Sequence, residues 1–220
     1  MWTLPNILTL FRLLAALGIG LGYALLPRPF ADVLGFTLFV AAAVTDWLDG
    51  YLARAWQQTT GVGAMLDPIA DKAMVLVTLM VLTALFGLDP LILIPATVIV
   101  FREVFVSGMR EYLGQALSGL KVSRLAKWKT TVQMVGIAVL LAFGVFEHRF
   151  GMGTFGMDAA LVAEILAGRM DDVATVRFDY QMAVWTRWGG MILLWIAALL
   201  TLVTGVDYWM KAQKALEAKT

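Results

Sequence analysis

Residues 45–54 read T-D-W-L-D-G-Y-L-A-R, and residues 63–71 read G-A-M-L-D-P-I-A-D. Four aspartates, Asp46, Asp49, Asp67 and Asp71, fall in this short stretch, and apolar runs long enough to span a bilayer lie on both sides. Carboxylates at the edge of a hydrocarbon layer are costly and mark function. Asp46, Asp49, Gly50, Ala53 and Arg54 recur at i, i+3, i+4, i+7 and i+8, which is one face of a helix. Asp67 and Asp71 are four apart and share a face as well. Two helices joined by the short polar link Gln57 to Thr60 bring the four carboxylates together. Like charges packed this closely repel, and a metal cation is the usual remedy. All-oxygen ligands suit hard ions such as Mg²⁺ or Mn²⁺. The chain has no Cys and one His, so zinc and thiolate chemistry have almost nothing to work with.

The residues between the aspartates fit the same picture. Gly50, Ala53 and Gly63 leave room for a bulky ligand to approach the backbone. Arg54, one turn beyond Gly50, is placed to pair with phosphate. Divalent ions held between carboxylates and a diphosphate neutralise a departing phosphate. The plainer reading is that the aspartates cap helices and pair with Arg54 and Lys72. Asp67 before Pro68 also suits a helix start.

D-W-L-D-G-Y-L-A-R, eight residues, then G-A-M-L-D-P-I-A-D matches D-x-x-D-G-x-x-A-R-x8-G-x-x-x-D-x-x-x-D at every fixed position. By this signature the chain resembles the CDP-alcohol phosphotransferases. The resemblance implies an all-α integral membrane enzyme, a six-transmembrane-helix bundle holding two divalent ions, Mg²⁺ or Mn²⁺. In such enzymes an alcohol attacks a CDP-linked lipid and CMP leaves. Carried over, Asp46, Asp49, Asp67 and Asp71 are metal ligands, and Asp71 is also the catalytic base. Asp49, Gly50, Ala53, Arg54 and Gly63 then contact CDP-diacylglycerol. A homodimer is expected by resemblance alone.

Composition sets the outer bounds. Of 220 residues, 60% are hydrophobic and 15% charged, too apolar for a soluble domain of this length. The net charge of +1 makes no case for nucleic acid. The first apolar run lacks a cleavage signal and reads as a retained helix. One membrane domain over residues 1–220 is the simplest count. Its helices are expected at about 6–26, 30–56, 64–86, 91–112, 128–146 and 187–210. Residues 147–186 form an insert between the last two, with a short amphipathic helix near 158–170. The insert carries 3 basic and 6 acidic residues.

Three further stretches resemble bacterial members of the family that use glycerol phosphate. They are N-I-L-T-L-F-R at 6–12, R-E-V-F-V-S-G-M-R-E at 102–111 and K-W-K-T-T-V-Q-M at 127–134. Asn6, Thr9 and Arg12 recur every three residues on adjoining positions of one helical face. By resemblance they approach the nucleotide, with Asn6 and Thr9 on CDP-diacylglycerol. Arg102, Arg110, Lys127 and Lys129 are candidates for gripping the phosphate of sn-glycerol 3-phosphate. Arg102 and Glu103 are expected to face the bundle interior. The basic loop around Lys121 to Lys129 is equally positive-inside material, which places the aspartates and both termini on the cytoplasmic side of a bacterial inner membrane. The signature does not name the alcohol; inositol phosphate, serine and phosphatidylglycerol are used within the family. Two other readings are an intramembrane prenyltransferase, which expects a second Asp-rich motif far along the chain, and a carboxylate-based ion transporter, which expects an internal repeat. Neither feature is present.

Overall fold

A computed structural model describes residues 3–56, 61–113 and 124–217, with backbone only at 5, 47–56, 64, 113, 124, 126, 127 and 215. Among the described residues the chain is helical and has no strand. The elements are α1 (Leu4–Leu25), α2 (Phe30–Trp56), α3 (Gly61–Leu85), α4 (Pro90–Leu113), α5 (Arg124–Gly153), α6 (Ala159–Leu166) and α7 (Val176–Glu217). Five of them, α1, α3, α4, α5 and α7, are long and apolar enough to cross a membrane. The protein is multi-pass by length and composition.

Bounds for α1 to α4 lie within a turn of those expected; α5 and α7 run well past theirs. Of the expected insert, only 154–175 lies outside α5 and α7. The helices continue because their charged ends are paired. Arg149 pairs with Asp179 at 3.0 Å, and Thr175 donates to the same carboxylate at 3.2 Å. Asp172 accepts from the Val176 and Arg177 amides at 2.7 and 3.0 Å, which supplies partners for two of the orphan N–H groups that open α7. The short α6 starts on Asp158, whose side chain accepts from Leu161 N–H at 2.7 Å. Beyond it, Arg169 donates twice to Glu164, and these hydrogen bonds hold the Glu164 carboxyl below its usual range. At 42 residues, α7 is roughly 60 Å long at 1.5 Å per residue, about twice the hydrocarbon thickness of a bilayer.

The chain divides into two compact units, Met1–Val81 with Ile137–Gly190 and Leu82–Gly136 with Met191–Thr220. In the first, α1 and α2 pack on each other. An added Cβ at Gly18 would lie 3.1 Å from Leu38, and one at Gly22 3.0 Å from Leu34, so the pair is antiparallel. The two faces of α1 are inverted relative to a soluble helix. Thr9, Arg12, Ala16 and Ile19 are buried, while Leu14, Leu17, Leu21 and Leu25 are exposed. Polar and small residues inside with leucines outside is the pattern of a helix solvated by lipid. At the far end of this unit Arg28 donates to the fully buried Asp32 at 2.7 Å and to Glu147 at 3.3 Å. Burial disfavours the charged Arg28, but Asp32 and Glu147 outweigh it and raise its pKa.

In this unit α7 also approaches α5 through Gly190. A Cβ there would meet Leu140 Cγ at 2.6 Å and its backbone nitrogen at 3.1 Å; at Gly189 it would meet nothing. Gly190→Ala is therefore expected to destabilise by about 1–3 kcal/mol through overpacking. Gly189→Ala should stabilise by up to about 1 kcal/mol through helix propensity. Unfolding in detergent checks the pair: equal shifts for the two variants would refute the close approach.

In the second unit α3 ends on Gly87 and Leu88, both with left-handed φ, of 60° and 62°. Asp89 caps α4, accepting from Leu91 N–H at 2.9 Å, with Pro90 next in the chain, where a missing N–H costs nothing. Here Gly136 brings α5 within 3.2 Å of the Leu194 backbone nitrogen, as measured from its added Cβ. Trp195 donates to the Leu91 carbonyl at 3.0 Å. An apolar groove of about 450 Å³ is lined by Val104, Phe105, Met109, Tyr112, Trp209 and Leu216.

Candidate active site

The first unit collects the described aspartates of the motif. α1 carries Arg12 and Thr9 on its buried face; α2 carries Asp46 in its third-last turn, and α3 carries Asp67 and Asp71 one turn apart. The Arg12 guanidinium is the centre of the arrangement. Its Nη1 donates to Asp46 and to Asp71, and its Nη2 donates to Asp67 at 3.1 Å. Thr9 Oγ1 donates to the same Asp67 oxygen at 2.5 Å. Arg12 is only 2% exposed, whereas the three carboxylates are each about half exposed. The charged head is thus walled in by the helices, and the carboxylates line the open side.

Asn6 and Thr9 are buried. Gly63 is buried near the start of α3. The side chains of Asp49, Gly50, Ala53 and Arg54 lie outside the described residues; their backbone belongs to α2. Pro68 sits inside α3, which already begins at Gly61, so Asp67 is not a helix start. This disposes of the capping role for Asp67: its carboxylate is spent on Arg12 and Thr9.

Among the described residues no three carboxylate or imidazole groups stand ready around one point for a metal ion. The Arg12 guanidinium stands among the carboxylates instead. The donor set fits a hard divalent ion nonetheless: it is all oxygen, drawn from two helices, and already gathered around a positive charge.

The second unit holds the basic residues proposed for the acceptor. Glu103 accepts from Lys129 and from Arg102 at 3.2 Å, and Arg102 also reaches Thr204 at 3.4 Å. Lys129 is buried. Arg102 and Glu103 face the interior as expected, and an added Cβ at Gly205 would lie 3.2 Å from the Arg102 stem. Arg110 is exposed, stacks over Tyr208 at 5.3 Å and donates to its hydroxyl at 3.3 Å. The Lys127 side chain lies outside the described residues.

Two residues carry more of these sites than the sequence alone indicated. Arg12 was legible only as part of a polar stripe with Asn6 and Thr9; an Arg near the middle of an apolar span was the signal that it needs anionic partners. Glu103 was legible only as an interior charge, not as the anion that holds Lys129.

The profile of the CDP-alcohol phosphatidyltransferases matches residues 2–203. The chain is 50% identical, over 96% of its length and 96% of the relative's, to a CDP-diacylglycerol–glycerol-3-phosphate 3-phosphatidyltransferase of Cereibacter sphaeroides. It is 35% identical, over the same shares, to the protein of that name in Rickettsia bellii. A CMP-forming cardiolipin synthase of Oryza sativa is 41% identical over 64% of this chain and 46% of its own. With the family match covering nearly the whole chain and the carboxylates of its motif gathered from α2 and α3, the protein belongs to the CDP-alcohol phosphatidyltransferase family.

Proposed function

We propose that the protein transfers the phosphatidyl group of CDP-diacylglycerol to sn-glycerol 3-phosphate, giving phosphatidylglycerophosphate and CMP. The observation that carries this is the gathering of Asp46, Asp67 and Asp71 around the Arg12 guanidinium, each carboxylate about half exposed. The names borne by relatives alike over 96% of the chain support the acceptor.

In this reading the acceptor hydroxyl oxygen attacks the lipid-side phosphorus. The bond from that phosphorus to the bridging oxygen breaks, and CMP leaves with the electron pair. Asp71 takes the hydroxyl proton; it is half exposed, as a base that must meet a substrate has to be. Asp46, Asp49, Asp67 and Asp71 would hold two divalent ions, Mg²⁺ or Mn²⁺, which when bound neutralise the diphosphate and the leaving group. Asn6, Thr9, Gly50, Ala53, Arg54 and Gly63 line the nucleotide side. Arg102, Arg110, Lys127 and Lys129 take the acceptor phosphate, and the apolar groove beside Trp209 suits an acyl chain. The chain works as one six-span membrane domain, as a homodimer, with the aspartates on the cytoplasmic side where the basic residues collect.

Purified protein given CDP-diacylglycerol and Mg²⁺ should release CMP with sn-glycerol 3-phosphate and not with inositol phosphate, serine or phosphatidylglycerol. Release with phosphatidylglycerol instead would keep the family chemistry and overturn the acceptor.

A further inference from the structure

We infer that Arg12 is a positioning residue for the metal site: from its buried place on α1 it holds the motif carboxylates of α2 and α3 together. The inference rests on the reading of Asp46, Asp67 and Asp71 as metal ligands. It concerns a residue on a different helix from any of them.

Three observations carry it. First, one guanidinium reaches all three carboxylates, using Nη1 for two and Nη2 for the third. The planar fork of an arginine can do this; a lysine ammonium is a point charge without it. Second, exposure is asymmetric. Arg12 is 2% exposed and its partners 49%, 48% and 54%. An ion entering from the open side meets the carboxylates without having to pass the guanidinium. Third, Thr9 donates to the Asp67 oxygen that Arg12 also grips, so α1 fixes that carboxylate twice. Groups that orient ligands in this way set metal affinity without touching the ion.

Charge alone predicts the opposite sign. A cation beside a metal site repels the metal, so a bystander Arg12 would weaken binding and its removal would tighten it. If Arg12 acts by geometry, its removal weakens binding even though a positive charge has gone. The two accounts therefore separate on the direction of one constant.

The test is Mn²⁺ binding to the full chain in detergent, stripped with EDTA and followed by the electron paramagnetic resonance of free Mn²⁺. Arg12→Lys keeps the charge and loses the fork; Arg12→Gln loses both. Both variants are expected to bind Mn²⁺ about 10–100-fold more weakly than wild type. Their unfolding midpoints should fall in EDTA and recover at saturating Mn²⁺. Unchanged or tighter Mn²⁺ binding in a folded variant overturns the inference. Failure of both variants to fold at saturating Mn²⁺ also overturns it, because Arg12 would then be a structural residue. Wild-type CMP release in the same preparation keeps the two readings apart. Wild type that binds Mn²⁺ but releases no CMP sinks the proposed reaction and leaves Arg12 in its role. Wild type that binds no Mn²⁺ sinks the metal site itself.

Discussion

Asp71→Asn is expected to lower glycerol-3-phosphate-dependent CMP release by about 10²–10⁴-fold, the usual contribution of a general base. The substitution keeps the shape of the side chain and removes its ability to take a proton. It also turns one of the oxygens around Arg12 into an amide nitrogen or weakens it as an acceptor, so some loss of metal binding is expected too. Two measurements separate these effects. Single-turnover CMP release at saturating Mn²⁺ reports the chemical step, and Mn²⁺ affinity reports the ligand role. A base that is also a ligand loses rate even when the metal is saturating. Full recovery of rate at high Mn²⁺ would leave Asp71 as a ligand only and require another group to take the proton.

Glu103→Ala is expected to destabilise the protein by about 3–5 kcal/mol, the cost of removing one partner from a buried ion pair. Glu103 is 16% exposed and holds Lys129, 6% exposed, and Arg102, 14% exposed. Without its carboxylate two cations are left in a poorly solvated interior. Removing both partners is a different matter. Glu103→Leu with Lys129→Met replaces the pair by apolar side chains and should recover the part of the loss that comes from stranding Lys129, while Arg102 keeps only Thr204 of the partners named above. Unfolding in detergent decides it: a double variant as unstable as Glu103→Ala would mean that the pair does not carry the effect. The double variant serves a second purpose. If Lys129 grips the acceptor phosphate, it should fold and show a raised KM for sn-glycerol 3-phosphate with little change for CDP-diacylglycerol.

The gathering of Asp46, Asp67 and Asp71 was legible because each motif is local. The spacing of Asp46, Asp49, Asp67 and Asp71 is a statement about helix faces, and a 3.6-residue period survives in any context. The turn at Gly87 and the start of α4 at Pro90 were legible for the same reason, since glycine and proline restrict the backbone on their own. What could not be read is the pairing of charges across distance. Arg149 with Asp179 lets α5 and α7 continue where the sequence looks like a loop. Arg28 with Asp32 and Glu147 ties the α1–α2 connection to α5, and nothing near residue 28 announces Glu147. The role of Arg12 is the sharpest instance. Its stripe on α1 is plain from a spacing of three, yet its partners stand on helices whose packing the spacing does not contain.

The burial of Arg12 bears on how the chain enters the bilayer. α1 is made before α2 and α3, and it carries an arginine well inside an apolar segment. An isolated helix with such a residue inserts at a cost of about 2.5–3.5 kcal/mol for that side chain. The carboxylates that neutralise it lie 34, 55 and 59 residues further along the chain. The first helix is thus a poor lodger in lipid until the second and third have been synthesised. Helices 1 to 3 have reason to leave the insertion machinery together, already charge-matched, and the carboxylates of the motif are then assembled as part of biogenesis rather than after it.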